Sequence, residues 1–506
     1  MLRLRSWVTL GFGLLAVAVS LGCGSGSPPI TPEGWVNATQ HPLVAQYHVD
    51  AVGTANVWVE FGTDTSYGRQ TSMVMAPNGY PNPVNVLVAG MKPNTTYHMR
   101  AHAEYTAGNS WTDSDHIFKT GSLPAKNALA LKVTRPANLK VAQSGVELLD
   151  VLALGTNNLE GAVADLDGNI IWYYDLGSTD LWPFPIKPLP NGNMLLNVSD
   201  HELREIDLTG NVVSDMSVND LNDRLRSAGF FTLPNGSLHH DLAILPNGHF
   251  ILLGNMTKTF TDLPGYPGNI DVVGDVLIDL DPAWNPVWVW SSFDHLDVNR
   301  HLMGLPDWTH ANAVIYSPAD GNLMVSMRHQ SWVVKIDYAD GRGTGDVLWR
   351  LGNQGDFSIS GGDPSQWFYA QHYPRLEEQN GLQMRLSVFD NGNLRMDDVG
   401  DQCTGNYPNC YSRAVVVDVD EANKIAAVRW QDKPGFYSPW GGSIGLLENG
   451  DVEFDMTALF GTTPASRILE VTQTETPETV WQMDISGGNA YRAYRIPSLY
   501  PGVVWH

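Results

Sequence analysis

The sequence is poor in the residues that long helices and positively charged surfaces require. Only 17% of its 506 residues are charged, whereas 49 are glycine and 31 are proline, a balance that favours short strands and turns over long helices. Basic residues are also few, because 30 Lys and Arg stand against 54 Asp and Glu and leave a formal net charge of −24. A surface this negative repels nucleic acid and anionic lipid, so neither is expected as a direct partner.

Cysteine is scarce as well, with three in the chain. Cys403 and Cys410 lie in one loop rich in Gly and Asn, DQCTGNYPNCYSR, and such a pair predicts a local disulfide in an oxidising compartment. Two thiols are too few for a zinc site. The small ring that the disulfide closes would mainly order its own loop.

The N-terminus lacks an apolar run long enough for a comfortable membrane span. Two arginines precede a short apolar stretch that ends at Leu21, which is the pattern of an export signal. Cys23 follows, ahead of GSGSPP, as in bacterial lipoproteins, although Ser20 stands where that pattern usually has leucine. We therefore expect a lipoprotein-type signal peptide over 1–23, lipidation at Cys23 and a flexible tether over 24–33. Ordinary cleavage nearby, which would leave Cys23 without lipid, is the alternative.

This N-terminus predicts an exported bacterial protein that is periplasmic or anchored to the outer membrane through lipid. Residues 34–122 then alternate apolar and polar residues in short runs such as ANVWVEFG, which predicts a β-sandwich. The segment MKPNTTYHMRAHAEY resembles the fibronectin type III pattern, with Tyr97 in the place of the tyrosine-corner residue. Residues 123–145 are expected to be a linker.

From residue 146 to residue 506 the sequence follows an imperfect repeat. Half of each unit is a Pro-Asn-Gly type of turn and an apolar strand, as in LPNGHFILLGN, and the other half ends in a strand with Trp, as in GAVADLDGNIIWYYDL. The Trp-terminated halves, with ELREIDLTGNVVSDMS as a degenerate member, number six. We predict an all-β chain with a six-bladed β-propeller after the sandwich, which AYRAYRIPSLYP would help to close.

Propeller geometry would bring distant residues together, because the innermost strands of successive blades surround one axis. Four residues precede the turn after the first strand of their units and are expected at one mouth: His240, His310, His372 and Ser443. On strand alternation only one of His239 and His240 can face that mouth. We favour His240, because it directly precedes Asp241, and the choice stays open.

The residues gathered in this way suit an anionic tetrahedral group. Arg328 offers a planar fork of donors for two oxygens, and Asn312 can donate a further hydrogen bond. A neutral imidazole is a nucleophile near pH 7, and a protonated one can donate to a leaving oxygen. Three imidazoles can also bind zinc, but the neighbouring Arg328 would repel a metal ion, so no metal is expected.

These motifs resemble those of the bacterial arylsulfate sulfotransferase (aryl-sulfate:phenol sulfotransferase, ASST) family over most of the chain. The matching motifs are His239-His240-Asp241, His310 with Asn312, Arg328, and Gln371-His372. The resemblance implies an exported six-bladed propeller with a small N-terminal β domain. It also implies transfer of a sulfuryl group from an aryl sulfate to a phenolic acceptor, by a ping-pong mechanism, without a nucleotide sulfate donor or other cofactor.

By motif order, the resemblance makes His372 the nucleophile that becomes a sulfohistidine. His310 and His240 would protonate the departing phenolate or hold the sulfuryl oxygens, together with Arg328 and Asn312. A Ser or Thr late in the chain would add one polar contact, for which Ser438 and Ser443 are both candidates. The disulfide of the family precedes the nucleophile, whereas Cys403 and Cys410 follow His372, so only an analogous loop-ordering role is implied.

Two other activities stay open for this sequence. An aryl sulfate hydrolase on the same scaffold would use the same residues, and a non-catalytic, lipid-anchored propeller would only bind a partner. Aromatic residues beside the motifs could line the pocket or pack in blade cores: Trp308, Trp367, Phe368 and Tyr369. The remaining histidines, His329 among them, have no support from spacing and are expected to be structural or solvated.

Overall fold

The computed structural model describes residues 32–506 except 52, 77–82, 125–128, 137–139, 153–158, 397–401, 404, 406–408 and 460–463. The expected signal peptide over 1–23, Cys23 and nearly all of the tether lie outside the described residues. The described part is all-β, with many antiparallel sheets and little helix. In that part, no helix combines the length and the apolar character needed to cross a bilayer.

Two sheets form the N-terminal part of the described chain. Their strands are β1 (Glu33–Ala38), β2 (Ala45–Asp50), β3 (Ala55–Gly62), β4 (Arg69–Gln70), β5 (Val74–Ala76), β6 (Val84–Val88), β7 (Thr96–Tyr105), β8 (Ser110–Thr112) and β9 (His116–Lys119). Strands β1, β2 and β6 form one sheet, and the remaining six form the other. Alternate residues of β2, β3 and β7 are buried in a shared core. The Tyr97 hydroxyl accepts a hydrogen bond from the Lys92 N–H at 2.8 Å, the contact of a tyrosine corner.

The rest of the described chain contains 26 further strands. They are β10 (Ala130–Thr134), β11 (Val146–Leu152), β12 (Gly161–Ala164), β13 (Ile170–Tyr174), β14 (Pro183–Pro188), β15 (Met194–Val198), β16 (Glu202–Ile206), β17 (Val212–Ser217), β18 (Leu238–Ile244), β19 (Phe250–Leu263), β20 (Tyr266–Leu280), β21 (Pro286–Ser291), β22 (Ala311–Ser317), β23 (Asn322–Met327), β24 (Trp332–Ile336), β25 (Val347–Leu351), β26 (Ser358–Ile359), β27 (His372–Asn380), β28 (Gln383–Asp390), β29 (Arg413–Asp420), β30 (Ile425–Asp432), β31 (Ser443–Leu446), β32 (Asp451–Met456), β33 (Ser466–Thr472), β34 (Thr479–Ser486) and β35 (Asn489–Ile496). Helices α1 (Val218–Ser227) and α2 (Ser292–His295) and three short 3₁₀ turns interrupt them: Arg328–Gln330, Ala339–Gly341 and Pro364–Gln366.

These strands form six sheets in the described chain, each with four consecutively paired antiparallel strands. Sheet 1 contains β11 to β13 and β35, sheet 2 β14 to β17, sheet 3 β18 to β21, and sheet 4 β22 to β25. Sheet 5 contains β27 to β30 with β26 added, and sheet 6 contains β31 to β34 with β10 added. The Pro-Asn-Gly turns end strands because Gly192 and Gly248 adopt φ of 87° and 84°, which glycine tolerates without strain.

Residues 123–145, for which a linker was expected, contribute a strand instead over part of their length. Strand β10 pairs antiparallel with β34 at the edge of sheet 6. Its alternate residues Leu131 and Val133 pack against a core that includes Trp481. The apolar face of the short run ALKVT is covered by the neighbouring sheet. The linker sequence by itself does not show this neighbour, so the strand was not predicted.

The Trp residues of the repeat connect each sheet to the next. The indole N–H groups on the last strands of five sheets donate to the following sheet, at 2.9–3.0 Å: Trp172 to Leu208, Trp290 to Gly345, Trp349 to Glu421, Trp430 to Thr474 and Trp481 to Leu166. The fifth of these contacts connects sheet 6 back to sheet 1. Sheet 2 lacks this Trp, and there Leu221 and Leu225 of α1 pack against the core of sheet 3.

Two further expectations concern how segments are held together. The late segment that was expected to supply a strand forms β35, which pairs with β11 and so joins the two ends of the six-sheet region. The predicted disulfide is confirmed, because Cys403 and Cys410 are bonded with their Cα atoms 5.4 Å apart.

Candidate active site

Three of the predicted histidines come together from neighbouring sheets, and two of them contact one tyrosine. His240 of sheet 3 and His310, which precedes sheet 4, have ring centroids 4.7 Å apart. Tyr491 of β35 lies 5.8 Å from the ring of His240 and 5.6 Å from the ring of His372, the first residue of sheet 5. The sequence stretches that carry these histidines therefore meet around Tyr491.

Each histidine stands at an irregularity in its strand. The pairing of β18 with β19 is irregular between Leu238 and Leu242, and β22 and β27 have similar irregularities beside His310 and His372. His240 and His310 adopt left-handed backbone conformations, with φ of 56° and 48°. Bulges re-aim side chains and are common beside active sites, whereas non-glycine residues rarely adopt this conformation without a structural reason. The bulge in β18 also breaks the alternation used to choose between His239 and His240.

Both histidines of that pair belong to the cluster, at different depths. The Nδ1 atoms of His239 and His240 are 2.8 Å apart, and His239 Nε2 lies 3.1 Å from Oδ1 of the buried Asp275. Burial would lower the pKa of His239, but the Asp275 carboxylate raises it above the ordinary imidazole value. Burial and the neighbouring His310 and His239 hold the pKa of His240 well below that value. His240 is thus the neutral partner that faces the other histidines.

His310 is held by Asp307 and by a histidine that spacing did not identify. Its Nδ1 lies 2.5 Å from Asp307 Oδ2, and its ring stacks on His329 with centroids 4.5 Å apart. His329 Nδ1 donates to the Asp307 carbonyl at 2.7 Å. Burial, followed by the charges of His310 and Arg328, lowers the pKa of His329 to about 4. His329 is therefore neutral, and it separates the imidazole of His310 from the guanidinium of Arg328.

Arg328 lies at the site with part of its fork uncommitted. Its NH1 donates to His329 Nε2 at 2.6 Å, and its NH2 donates to the Pro439 carbonyl at 3.0 Å. Its Nε is buried without a hydrogen-bond partner among the described residues. Its positive charge is one of the causes that lower the pKa of His372, after burial. A buried cation with an unpaired donor is suited to an anionic ligand.

His372 is held in one tautomer by a residue that spacing did not reveal. The amide nitrogen of Asn391 donates to the carbonyls of Ser438 (2.8 Å) and Gly441 (2.9 Å). Its Oδ1, 2.7 Å from His372 Nδ1, must therefore accept a hydrogen bond from a protonated Nδ1. His372 Nε2 then carries the lone pair and accepts the Gly441 N–H at 3.2 Å. Burial, then the Arg328 cation, hold the pKa of His372 well below the ordinary value, although the Asn391 hydrogen bond opposes them.

Asn312 and Asp241 lie under the histidines and connect the strands. The Asn312 amide donates to the Gln371 carbonyl at 2.8 Å, directly before His372, and its Oδ1 is buried without a partner among the described residues. Arg492 of β35 donates to Asp241 at 2.8 Å and to the Asn312 carbonyl at 3.0 Å. Asn312 thus positions the strand of the nucleophile candidate, with one amide hydrogen already committed.

The two serine candidates both have committed hydroxyl groups. Ser438 Oγ donates to the Thr457 carbonyl, and Ser443 Oγ donates to the Ala493 carbonyl at 2.5 Å. The contact that this part of the chain makes with His372 comes instead from the backbone N–H of Gly441. Ser438 acts through its carbonyl, which holds Asn391.

The aromatic residues at the site are not those beside the motifs. Core packing, the second of the two alternatives for the aromatic residues beside the motifs, is what the structure shows for all four: Trp308, Trp367, Phe368 and Tyr369. The aromatic ring that contacts the histidines is Tyr491, which itself packs against Phe184 at 4.6 Å and stacks on Trp440 at 6.3 Å. The Tyr491 hydroxyl is buried without a partner in the described chain, and burial raises its pKa above the ordinary phenol value.

One group of side chains has the composition of a metal site. The ligand-type atoms of Asp307, His310 and His329 all lie within 4.8 Å of one another. The two imidazoles are stacked with planes 17° apart, so their in-plane lone pairs do not converge on one point. Both nitrogens of His329 are engaged, one of them by the Arg328 guanidinium. This donor set fits a hydrogen-bonded cluster better than a metal ion.

Several residues of the cluster were missed from the sequence, among them Asp275, His329, Asn391 and Tyr491. His329 directly follows Arg328, which was a usable hint. Asn391 sits in an Asn-Gly pair that looks like an ordinary turn. Asp275 and Tyr491 lie far along the chain from the motifs, so only the packing of the sheets brings them to the histidines.

The described chain thus brings three histidines, an arginine and a tyrosine into one cluster, a set of side chains suited to an anionic ligand. The sequence matches the Arylsulfotransferase (ASST) family over residues 140–495. Because this match covers well over half of the chain, the protein belongs to the arylsulfotransferase family, as its motifs suggested. No curated protein sequence matches the chain.

Several solved structures resemble the chain only loosely. Hydrazine synthase of Kuenenia stuttgartiensis is 11% identical, with a TM-score of 0.30, over 59% of this chain and 80% of that chain. Sqt1 of Saccharomyces cerevisiae is 9% identical, with a TM-score of 0.28, over 88% and 93%. BamB of Moraxella catarrhalis is 11% identical, with a TM-score of 0.23, over 78% and 94%. Likenesses this low carry no argument about this chain.

Proposed function

We propose that this protein is an aryl sulfotransferase that works through a sulfohistidine at His372 and needs no nucleotide sulfate donor. It would move a sulfuryl group from an aryl sulfate ester to a phenolic acceptor by a ping-pong mechanism. Family membership supports aryl sulfotransfer in general. The observation that carries the finer claim is the hydrogen bond between His372 and Asn391: Nδ1 keeps its proton and donates it to Asn391 Oδ1, so the lone pair is on Nε2.

In the first half-reaction, His372 Nε2 attacks sulfur and the bond between sulfur and the aryl oxygen breaks. The bonding electrons stay on the phenolate oxygen, which takes a proton from a neighbouring imidazole and leaves as a phenol. In the second half-reaction, an acceptor phenol gives its proton back to that imidazole and attacks the sulfur. The bond between sulfur and Nε2 then breaks, and His372 recovers its lone pair.

Sulfuryl transfer resembles phosphoryl transfer in its loose transition state, so holding the peripheral oxygens is most of the catalytic task. The unpaired Nε of Arg328 and hydroxyl of Tyr491 are the donors that we assign to these oxygens. The Gly441 N–H loses its acceptor when Nε2 bonds sulfur, and a sulfuryl oxygen would replace that acceptor. Losing one such donor typically costs about 10²–10³-fold in rate.

We also propose the architecture that this site requires. The six sheets would be the blades of a closed β-propeller, with the two N-terminal sheets as a fibronectin type III-like sandwich. The tryptophan contact from sheet 6 to sheet 1 and the pairing of β35 with β11 support a closed ring. Export, with a lipid anchor at Cys23, remains part of the proposal.

Turnover of p-nitrophenyl sulfate tests the activity. We expect p-nitrophenol release to be slow without an acceptor and to rise strongly when a second phenol is added, because only an acceptor removes the sulfuryl group from His372. His372→Ala should abolish this release, whereas His506→Ala, at an exposed histidine, should leave it unchanged.

The other two activities give different outcomes in the same assay. A hydrolase would release p-nitrophenol at a rate independent of the added phenol. A non-catalytic binding protein would release none. Undiminished turnover in His372→Ala would contradict the assignment of the nucleophile.

A further inference from the structure

Asp275 contacts both of the segments that carry His239, His240 and His310. Its Oδ2 accepts the Thr309 hydroxyl at 2.5 Å and the Ala311 N–H at 2.7 Å, on either side of His310. Its Oδ1 faces His239 Nε2 at 3.1 Å. One oxygen is therefore saturated by the loop of His310, and the other lies within ion-pair distance of His239 Nε2, which makes no aligned hydrogen bond among the described residues.

We propose that Asp275, His239 and His240 form a proton relay that ends at the phenolic oxygen of the substrate. His240 would be the catalytic acid and base, and Asp275 and His239 would be positioning residues that act through it. This inference rests on the proposed sulfotransfer and assigns the proton that each half-reaction must move.

The spacing of the two rings fixes how protons can be arranged. Two imidazole nitrogens 2.8 Å apart share one proton, so one Nδ1 donates and the other accepts. His239 also faces the charge of Asp200, and its pKa is raised despite its burial, mainly through Asp275. His240 faces His310, His239, His372 and Arg492, and burial with these neighbours keeps it neutral. The resting arrangement is a charged His239 that donates to a neutral His240, whose own proton is on Nε2.

This arrangement solves a problem that a lone His240 would have. An imidazole whose pKa lies far below neutrality holds no extra proton to give to a phenolate. In the relay, His240 Nε2 gives its proton to the leaving oxygen while its Nδ1 takes the proton of His239 Nδ1. His240 is neutral before and after, and the positive charge on His239 is what disappears. The acceptor phenol reverses both transfers in the second half-reaction, so protons balance over the cycle.

Leaving-group dependence separates a relay from a purely structural role. A p-nitrophenolate leaves readily without a proton, whereas an unsubstituted or 4-methyl phenolate needs one. We expect Asp275→Asn and His239→Gln to lower kcat/KM for phenyl sulfate by about 10²-fold. For p-nitrophenyl sulfate the loss should stay within a few fold, so the dependence of log kcat/KM on phenol pKa becomes steeper.

The chain offers a matched control on the same strand. Asp279 is also buried in β20 and also contacts a histidine, His249 Nδ1, at 2.9 Å, away from the cluster. Asp279→Asn should leave the leaving-group dependence as in wild type. An equal loss for all leaving groups in Asp275→Asn would overturn the relay while leaving the sulfotransfer itself intact.

A second measurement applies even if a variant folds poorly. Nitrogen NMR of histidine-labelled wild-type protein near pH 6 should show His239 protonated on both nitrogens and His240 on Nε2 alone. A neutral His239, or a His240 that carries its proton on Nδ1, would overturn the relay. This NMR measurement needs no turnover, so it tests the relay separately from the proposed activity. Turnover of p-nitrophenyl sulfate by the wild-type protein tests that activity.

Discussion

At the scale of single residues, Asn391 determines what His372 can do. Its three hydrogen bonds use the whole amide, with two donated to carbonyls and one accepted from imidazole. In the other tautomer Nε2 would present an N–H to the sulfur, and an N–H is not a nucleophile. The low pKa of His372 keeps the lone pair available, so protonation should not stop the first half-reaction until pH falls well below the ordinary imidazole value.

Removing this amide should impair chemistry more than binding. We expect Asn391→Ala to lower the rate of His372 sulfation by roughly 10²-fold or more, because a catalytic imidazole in the wrong tautomer is a poor nucleophile. Pre-steady-state release of p-nitrophenol measures that step. Asn423→Ala, at an exposed turn, is the matched control and should behave as wild type. A normal first turnover in Asn391→Ala would mean that another residue orients His372.

The residues that could be predicted from sequence are those at repeat positions. His240, His310 and His372 were found because a periodic architecture turns distance along the chain into proximity in space. Asp275 and Asn391 could not be found in this way, because each contributes one hydrogen-bonding group to a geometry that only the packed sheets create. The choice between His239 and His240 could not be made from strand alternation, because a bulge in β18 interrupts that alternation.

At the scale of elements, strand β35 of sheet 1 carries a charged side chain, Arg495, that joins sheet 1 to sheet 6. The Arg495 side chain contacts three carboxylates from three strands: Glu147, Glu453 at 3.3 Å and Glu470 at 3.2 Å. One cation does not balance three buried anions. Burial and the charge of Glu147 accordingly raise the pKa of Glu453 to about 8, against the opposing charge of Arg495.

This cluster predicts a loss of stability with rising pH. The folded pKa of Glu453 lies above its unfolded value, so its contribution is fully present below the unfolded pKa and is lost as pH rises towards about 8. We expect Glu453→Gln to flatten that decline, so that the variant is more stable than wild type at mildly alkaline pH. Urea unfolding at several pH values measures this.

The control for this experiment is Glu475→Gln, which changes an exposed carboxylate of sheet 6 and should not alter the slope. Parallel pH profiles for wild type and Glu453→Gln would show that Glu453 is already ionised at neutral pH. The repeat pattern predicted the Trp contacts between sheets only as a periodicity. It could not predict these ion pairs, since Arg495 and its three carboxylate partners lie on four different strands that only the packed sheets bring together.

At the scale of the whole molecule, the N-terminal sheets hold the segment that follows β35. The Tyr500 hydroxyl donates to the Leu87 carbonyl at 2.8 Å, and the Trp505 indole donates to the Gln70 carbonyl at 3.0 Å. Lys92 also pairs with Asp165 of sheet 1 at 3.2 Å. The N-terminal sheets therefore help to hold in place the segment next to β35, and β35 is the strand that carries Tyr491 and Arg492 beside the histidines.

The central claim is that a sulfuryl group rests on His372 between the two half-reactions. The most direct measurement is mass spectrometry of the protein after p-nitrophenyl sulfate is added without an acceptor. Digestion should be carried out under alkaline conditions that preserve the bond between sulfur and the imidazole nitrogen. We predict a mass increase of one SO₃ group on the peptide that contains His372, lost when a phenol is added and absent in His372→Ala. An unmodified protein during active transfer, or the same adduct on another residue, would contradict this mechanism.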